Sequence, residues 1–227
     1  MKHGTISAIV PLYNAEKFVE EALNSILNQK EVTVDEIIVV DDGSTDKGAK
    51  IVSSFGKRVR LLRQDHRGIA ATRNYGIKNS IGDFIAFLDA DDIWTENHLL
   101  KLIEPFQTNP ATVISFGRVE QFANQKKDEK KITGNQKVLH GLLPGSVLIR
   151  KKLFKTVGLF DTSFNIGEFL EWYSRITNLD FPVEMIPEVV LKRRIHENNT
   201  GILQKENRND YVRVLFEHLK RKRALKN

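Results

Sequence analysis

The 227-residue chain has no cysteine, so it can build no disulfide framework, zinc–thiolate centre or thiol nucleophile, and any metal must be held by oxygen or imidazole. No apolar run approaches the ~20 residues that span a bilayer. The start, Met1-Lys2-His3-Gly4, leads into a strand pattern rather than a signal-peptide core. The expectation is a soluble cytoplasmic protein, with at most a peripheral contact at the inner face of the membrane. No G-x-G-x-x-G turn follows the first apolar run, where Val10-Pro11-Leu12-Tyr13-Asn14 stands instead, and there is no Walker A loop. Their absence argues against the dinucleotide oxidoreductases and the P-loop enzymes. Low-complexity linkers and internal repeats are missing too.

What is present is balanced. With 41 % hydrophobic and 28 % charged residues the chain sits near the globular average, and its length suits one sizeable core rather than two ordinary domains. The formal charge of +6 is uneven, because Lys220, Arg221, Lys222, Arg223 and Lys226 crowd the last eight residues. One basic tail on a nearly neutral body argues against nucleic acid as a partner and for a local contact at the tail, or only a solvated helix end.

The first half alternates short apolar runs with segments of helical period, the pattern of βαβ units and a mostly parallel sheet flanked by helices. Strands are expected at Ile6–Val10, Ile37–Val40, Val59–Leu62 and Phe84–Leu88. Helices are expected at Glu16–Gln29, from after Ser44 to about Phe55, at Ile69–Lys78, and from Thr95 as cap toward Phe106. Beyond that lie strand patterns at Val113–Phe116 and Ser146–Ile149, a charged loop at Lys126–Lys131 and a helix at Glu168–Thr177. Two short strands, Val183–Ile186 and Val189–Leu191, are expected around Pro187, and a helix at Gln204–Ala224. The organisation reads as one α/β domain over residues 1–203, with halves 1–110 and 111–203, followed by a basic helix over 204–227.

In such sheets ligands bind beyond the carboxyl ends of the strands, and two acidic clusters end up there, Asp41-Asp42 and Asp89-Ala90-Asp91-Asp92. Carboxylates on a short turn suit magnesium or manganese, which prefer hard oxygen ligands and leave positions open for phosphate oxygens. The bland alternatives are that Asp41 and Asp46 cap helices and that the second cluster is a solvated loop.

Four stretches in order, Ala8-Ile9-Val10-Pro11-Leu12-Tyr13-Asn14, Val39-Val40-Asp41-Asp42-Gly43-Ser44-Thr45-Asp46, Ala71-Thr72-Arg73-Asn74-Tyr75-Gly76 and Phe87-Leu88-Asp89-Ala90-Asp91-Asp92, resemble the motifs of family 2 glycosyltransferases with the GT-A, Rossmann-like fold. The resemblance implies transfer of a sugar from a nucleotide-diphosphate donor, with inversion and with Mn2+ or Mg2+. It implies that Pro11, Tyr13 and Asn14 meet the nucleotide base, that Asp42 bonds its imide edge, which favours UDP, and that Arg73 lies beside base or phosphates. Asp89 and Asp91 match the outer acids of the DXD motif, which implies Asp89 toward ribose or metal-bound water and Asp91 on the metal.

Further along, Glu168 matches the first of an acidic pair that opens a helix, but the second, usually the general base, is Phe169 here. Glu168 or Glu171, three apart on one helical face, would then take the missing role. The alternative is a catalytically impaired homologue that still binds the nucleotide sugar. In Lys192-Arg193-Arg194-Ile195-His196 the resemblance implies that His196 completes the metal site or touches the diphosphate, while Arg193 and Arg194 are candidate phosphate contacts. The acceptor, whether saccharide, lipid-linked or protein, is not legible. The last helix, with Val212, Leu215, Phe216 and Leu219 at helical spacing, is read as a dock for the domain, a second subunit or an anionic membrane.

Overall fold

The computed structural model describes residues 4–130, 132, 138–177, 179–197, 199 and 209–224. Strand β1 (Ile6–Leu12) is buried along its whole length because both of its faces are covered. Ala8, Val10 and Leu12 point into one core, together with Val19, Ala22, Leu23 and Ile26 of α1 (Val19–Leu27), while Ile9 points into the other. Strands β2 (Glu36–Asp41), β3 (Arg60–Arg63) and β4 (Phe84–Phe87) flank it in the order β3-β2-β1-β4, all parallel. Helices α2 (Gly48–Ser54) and α3 (Ile69–Asn79) supply the connections. Gly76 lets α3 lie against β1, since a Cβ there would meet the Ile9 side chain at 2.4 Å.

The sheet continues through the second half without a break. Beyond β4 the order is β8 (Val147–Arg150), β6 (Ile114–Phe122), β9 (Val183–Arg194) and β5 (Ile93–Trp94), with β7 (Val138–His140) also paired to β6. Here β8 is antiparallel to β4 and β6, and β9 is parallel to β6. Helix α4 (His98–Thr108) covers one face with Leu99, Leu102, Ile103 and Phe106. Helices α6 (Leu153–Val157) and α7 (Glu168–Ile176) cover the other, where Trp172 stacks on Phe154 at 4.7 Å. A helix α8 (Asn209–Ala224) lies against α7.

Several expectations are corrected. Pro187 does not split two strands: β9 runs through it, because the residue falls where the β6–β9 register shifts, between Met185↔Phe116 and Val189↔Arg118, and no ladder bond is required of it. Gly117 sits in the same irregularity, where a Cβ would strike Val190. Thr95 caps no helix; its hydroxyl is held 3.2 and 3.3 Å from the Val189 and Val190 carbonyls, and α4 begins three residues later. The strand expected to end at Phe116 extends to Phe122, and the charged stretch contains a one-turn helix α5 (Lys126–Glu129). Of the expected last helix, residues 204–208 lie outside the described residues, as does Lys226.

Candidate functional site

The carboxyl ends of β1, β2, β4 and β9 converge on one edge of the sheet. After β1, Asn14 adopts a left-handed conformation (φ 48°), which polar asparagine tolerates. Its Oδ1 accepts the Thr45 N–H at 2.9 Å, tying the Tyr13 turn to the one after β2. That second turn is closed by Asp41, whose Oδ1 accepts the Ser44 N–H at 2.9 Å. Asp46 takes the N–H groups of Glu16 and Gly48 at 2.8 and 2.9 Å, so it does serve the starts of the two adjoining helical segments, whereas Asp41 builds the turn.

Asp42 is buried, and its carboxylate accepts the Arg67 and Gly68 N–H groups at 2.9 Å each and the Gln64 amide at 2.7 Å, with His66 Nδ1 2.9 Å from Oδ2. A carboxylate offers about four acceptor directions, and here all four face the 64–68 loop. The expected bond to a base imide would therefore need His66 or Gln64 to give way. His66 also stacks on the exposed ring of Tyr13, centroids 4.3 Å apart. Sequence reasoning passed over His66, which no spacing or local pattern marks.

Arg73 from α3 is buried at the centre of the edge. One terminal nitrogen bonds Glu168 at the start of α7 and the other lies 2.5 Å from Asp89 after β4. Burial alone would lower its pKa, but the fields of Asp89 and Glu168 raise it. Burial likewise pushes the Glu168 carboxyl above the usual range, against the pull of Arg73. Asn74, next in α3, clasps the backbone of Phe160 through both amide atoms, at 2.8 and 3.0 Å, which fixes the loop that leads into α7.

The Asp89–Asp92 turn divides its acids. Asp91 Oδ2 stands 2.9 Å from His196 Nε2 and 3.3 Å from the Asn199 amide. Asn199 in turn accepts the His196 N–H at 2.7 Å, and Phe18 stacks on the imidazole at 4.8 Å. Asn199 too was missed by sequence reasoning; its side chain reaches back to the His196 N–H, a local bond that no motif in the sequence marks. Asp92 points inward, where it accepts the Arg194 N–H at 2.8 Å, and burial followed by the charges of Asp91 and Asp89 holds it well above the usual carboxylate range.

Two expected site residues are placed elsewhere. Arg194 is buried, donating to the Asp91 carbonyl at 2.9 Å and to Glu21 at 2.6 Å and lying over Phe18 and Phe122, so it braces the acidic turn instead of facing a phosphate. Arg193, half-buried beside it, is near enough for its charge to act on Asp92 and remains a candidate cation. Glu171 is buried between Arg175, at 3.1 Å, and Arg221 of α8, at 2.5 Å, away from Arg73. Its helical neighbour relation to Glu168 does not bring it to the site, because the two arginines claim it. Phe169 is packed among Phe116, Phe160 and Trp172, so the usual base position is core.

Among the described residues no group of three or more histidines and acids forms a ready metal cage. The donor chemistry still fits a cation shared with a ligand. Two donors at about 2.1 Å and right angles on an octahedral ion lie about 3.0 Å apart, and magnesium commonly takes one or two protein ligands plus substrate phosphates. Asp91 and His196, 2.9 Å apart, meet that spacing.

Comparison with known proteins bears on the family and the fold. The model of glycosyl transferase family 2 matches residues 7–169. An uncharacterized glycosyltransferase of Rickettsia typhi is 30 % identical over 91 % of this chain and 71 % of its own. The glycosyltransferase GlyG of Streptococcus pneumoniae is 41 % identical over 48 % of this chain and 37 % of its own. The crystal structure of TarS from S. aureus in complex with UDP-GlcNAc superposes with TM-score 0.71 at 21 % identity, covering 86 % of this chain and 60 % of that one, a likeness of fold. The chain thus spans less than two thirds of some of the relatives it matches.

Proposed function

The chain belongs to glycosyl transferase family 2, and on that premise we propose that it moves a sugar from a nucleotide-diphosphate donor, UDP-linked by preference, to a hydroxyl acceptor with inversion. The observation that carries the reading is the Asp91–His196 pair, 2.9 Å apart at the carboxyl edge of the sheet, beside Asp89 in the grip of Arg73. TarS, of the same fold, binds UDP-GlcNAc. Pro11 and Tyr13 offer the base its platform, and Asp89, held by Arg73, faces the ribose. Asp91 and His196 would hold Mn2+ or Mg2+, which when bound offsets the charge that grows on the departing diphosphate. Arg193 adds a second cationic group to the same phosphates.

With Phe169 in the core and Glu171 drawn away to Arg175 and Arg221, Glu168, which shares Arg73 with Asp89, is the acid that stays at the site for the proton of the acceptor hydroxyl. Its raised pKa brings it nearer to that task. The acceptor oxygen then bonds the anomeric carbon on the face opposite the breaking carbon–oxygen bond to the diphosphate. The second reading, a nucleotide-sugar-binding homologue impaired in catalysis, rests on the buried Phe169.

UDP release from UDP-GlcNAc with manganese tests the proposal. Asp91→Ala abolishes the metal-dependent release, and Glu168→Gln lowers it on the order of 10²- to 10⁴-fold. Release that needs no metal and survives Asp91→Ala refutes it. Metal-dependent UDP binding without turnover on any acceptor selects the second reading.

A further inference from the structure

Helix α8 turns its polar side to the protein and its apolar side outward. Asp210 accepts the N–H groups of Asn165 and Ile166 at 3.0 and 3.3 Å. Arg213 donates to the Ser163 hydroxyl at 2.8 Å and lies 4.1 Å from the centre of the Phe164 ring. Arg221 donates to Glu171 at 2.5 Å and to the Ser174 hydroxyl at 2.9 Å. At 3.6 residues per turn these three lie on one side of the helix. Val212, Leu215, Phe216 and Leu219 lie on the other, 66, 58, 65 and 46 % exposed.

A surface helix ordinarily buries its apolar stripe in the core. Here these hydrogen bonds and the Arg221–Glu171 ion pair fix the opposite orientation, and four large hydrophobic side chains face outward together. Lys222 and Arg223 continue the rows of Leu215 and Phe216 at i+7, and Lys220 follows Phe216 at i+4, so the stripe ends in an exposed basic rim. Both acids of the helix, Asp210 and Glu217, fall on the docked side.

We propose that this face of α8 seats the protein on an anionic membrane surface, the apolar stripe entering the headgroup–acyl boundary and Lys220, Lys222 and Arg223 meeting lipid phosphates. An apolar layer bordered by negative charge is what such a surface presents to an interfacial helix. A second copy presents no acid on the same face to meet the rim, so charge complementarity favours lipid. The inference stands on α8 alone and does not depend on the sugar-transfer reading.

Flotation of the chain with vesicles of phosphatidylcholine, and of phosphatidylcholine mixed with phosphatidylglycerol, tests it. Binding to the mixed vesicles is expected to be at least about tenfold stronger and to weaken with salt. Leu215→Ser/Phe216→Ser removes binding to both vesicles, and Lys222→Glu/Arg223→Glu removes the preference for the mixed ones. All four residues are exposed, and an unchanged melting curve shows that each variant keeps its fold. No flotation, or flotation undiminished by Leu215→Ser/Phe216→Ser, overturns the proposal. A concentration-dependent dimer that this variant abolishes, with no vesicle binding, gives the face to a second copy and overturns it as well.

Discussion

Replacing Arg73 by methionine removes the cation at the centre of the site while keeping most of its stem. Its guanidinium bonds Glu168 and Asp89, and it lies 6.0 Å from the Phe87 ring centre. Taking away one partner of a buried pair costs about 3–5 kcal/mol, because the other charge is left uncompensated. The Asp89 side chain is 37 % exposed and can rehydrate, so the cost falls on Glu168, whose side chain is 7 % exposed. At about 2–4 °C per kcal/mol for a chain of this size, the melting temperature drops by roughly 6–20 °C. Glu168→Gln is the informative contrast, since it deletes the buried charge, leaves an acceptor for Arg73 and should cost only about 1 kcal/mol. The pH dependence has a definite sign. Glu168 has a folded pKa above its unfolded one, so its contribution is full below about pH 4.3 and is lost as pH rises through the folded value. Without Arg73 that loss deepens. Thermal melts of the three proteins at pH 5 and pH 7 should place Arg73→Met lowest, with a gap to Glu168→Gln that widens at pH 7. If Arg73→Met melts with wild type at pH 7, or if the glutamine variant is the less stable, the buried pair does not have the role assigned to it.

Other outcomes follow from the same geometry. His98, buried against Trp94 with centroids 4.0 Å apart, is held down to about pKa 3 by burial. It must fold neutral, so its contribution is present above the unfolded value near 6.5 and lost as pH falls, about 2 kcal/mol between pH 7 and 5. Urea midpoints of wild type should show that loss, and those of His98→Gln should not. Tyr13→Ala should weaken UDP binding by about 1–3 kcal/mol in calorimetry with little change in melting temperature, its ring being exposed. Phe169→Glu, which restores an acid at the usual base position, should lower the melting temperature by ~10 °C or more and give no gain in UDP release, since the side chain is core.

Most of the nucleotide half was legible because its signals are local. Strands β1, β2 and β4 are carried by short apolar runs, and the acids at the ends of β2 and β4 are next to them in sequence. What escaped depends on partners far along the chain. Nothing near Arg194 announces that Glu21, 173 residues away, will claim it, and nothing near Glu171 announces Arg221. Pro187 was misread because tolerance for proline depends on the register of β6, where the ladder already slips. His66 and Asn199 entered the site by loop geometry, and the saturation of Asp42 by the 64–68 loop follows from the same fold of backbone.

The most direct test of the account is calorimetric titration of UDP into wild type and Asp91→Asn, each with manganese and with chelator. The account predicts that manganese tightens UDP binding to the wild type at least about tenfold, equivalent to 1.4 kcal/mol, and that Asp91→Asn loses this gain while binding UDP alone as before. An equal gain in both proteins, or none in the wild type, would contradict a cation held at Asp91 against the diphosphate.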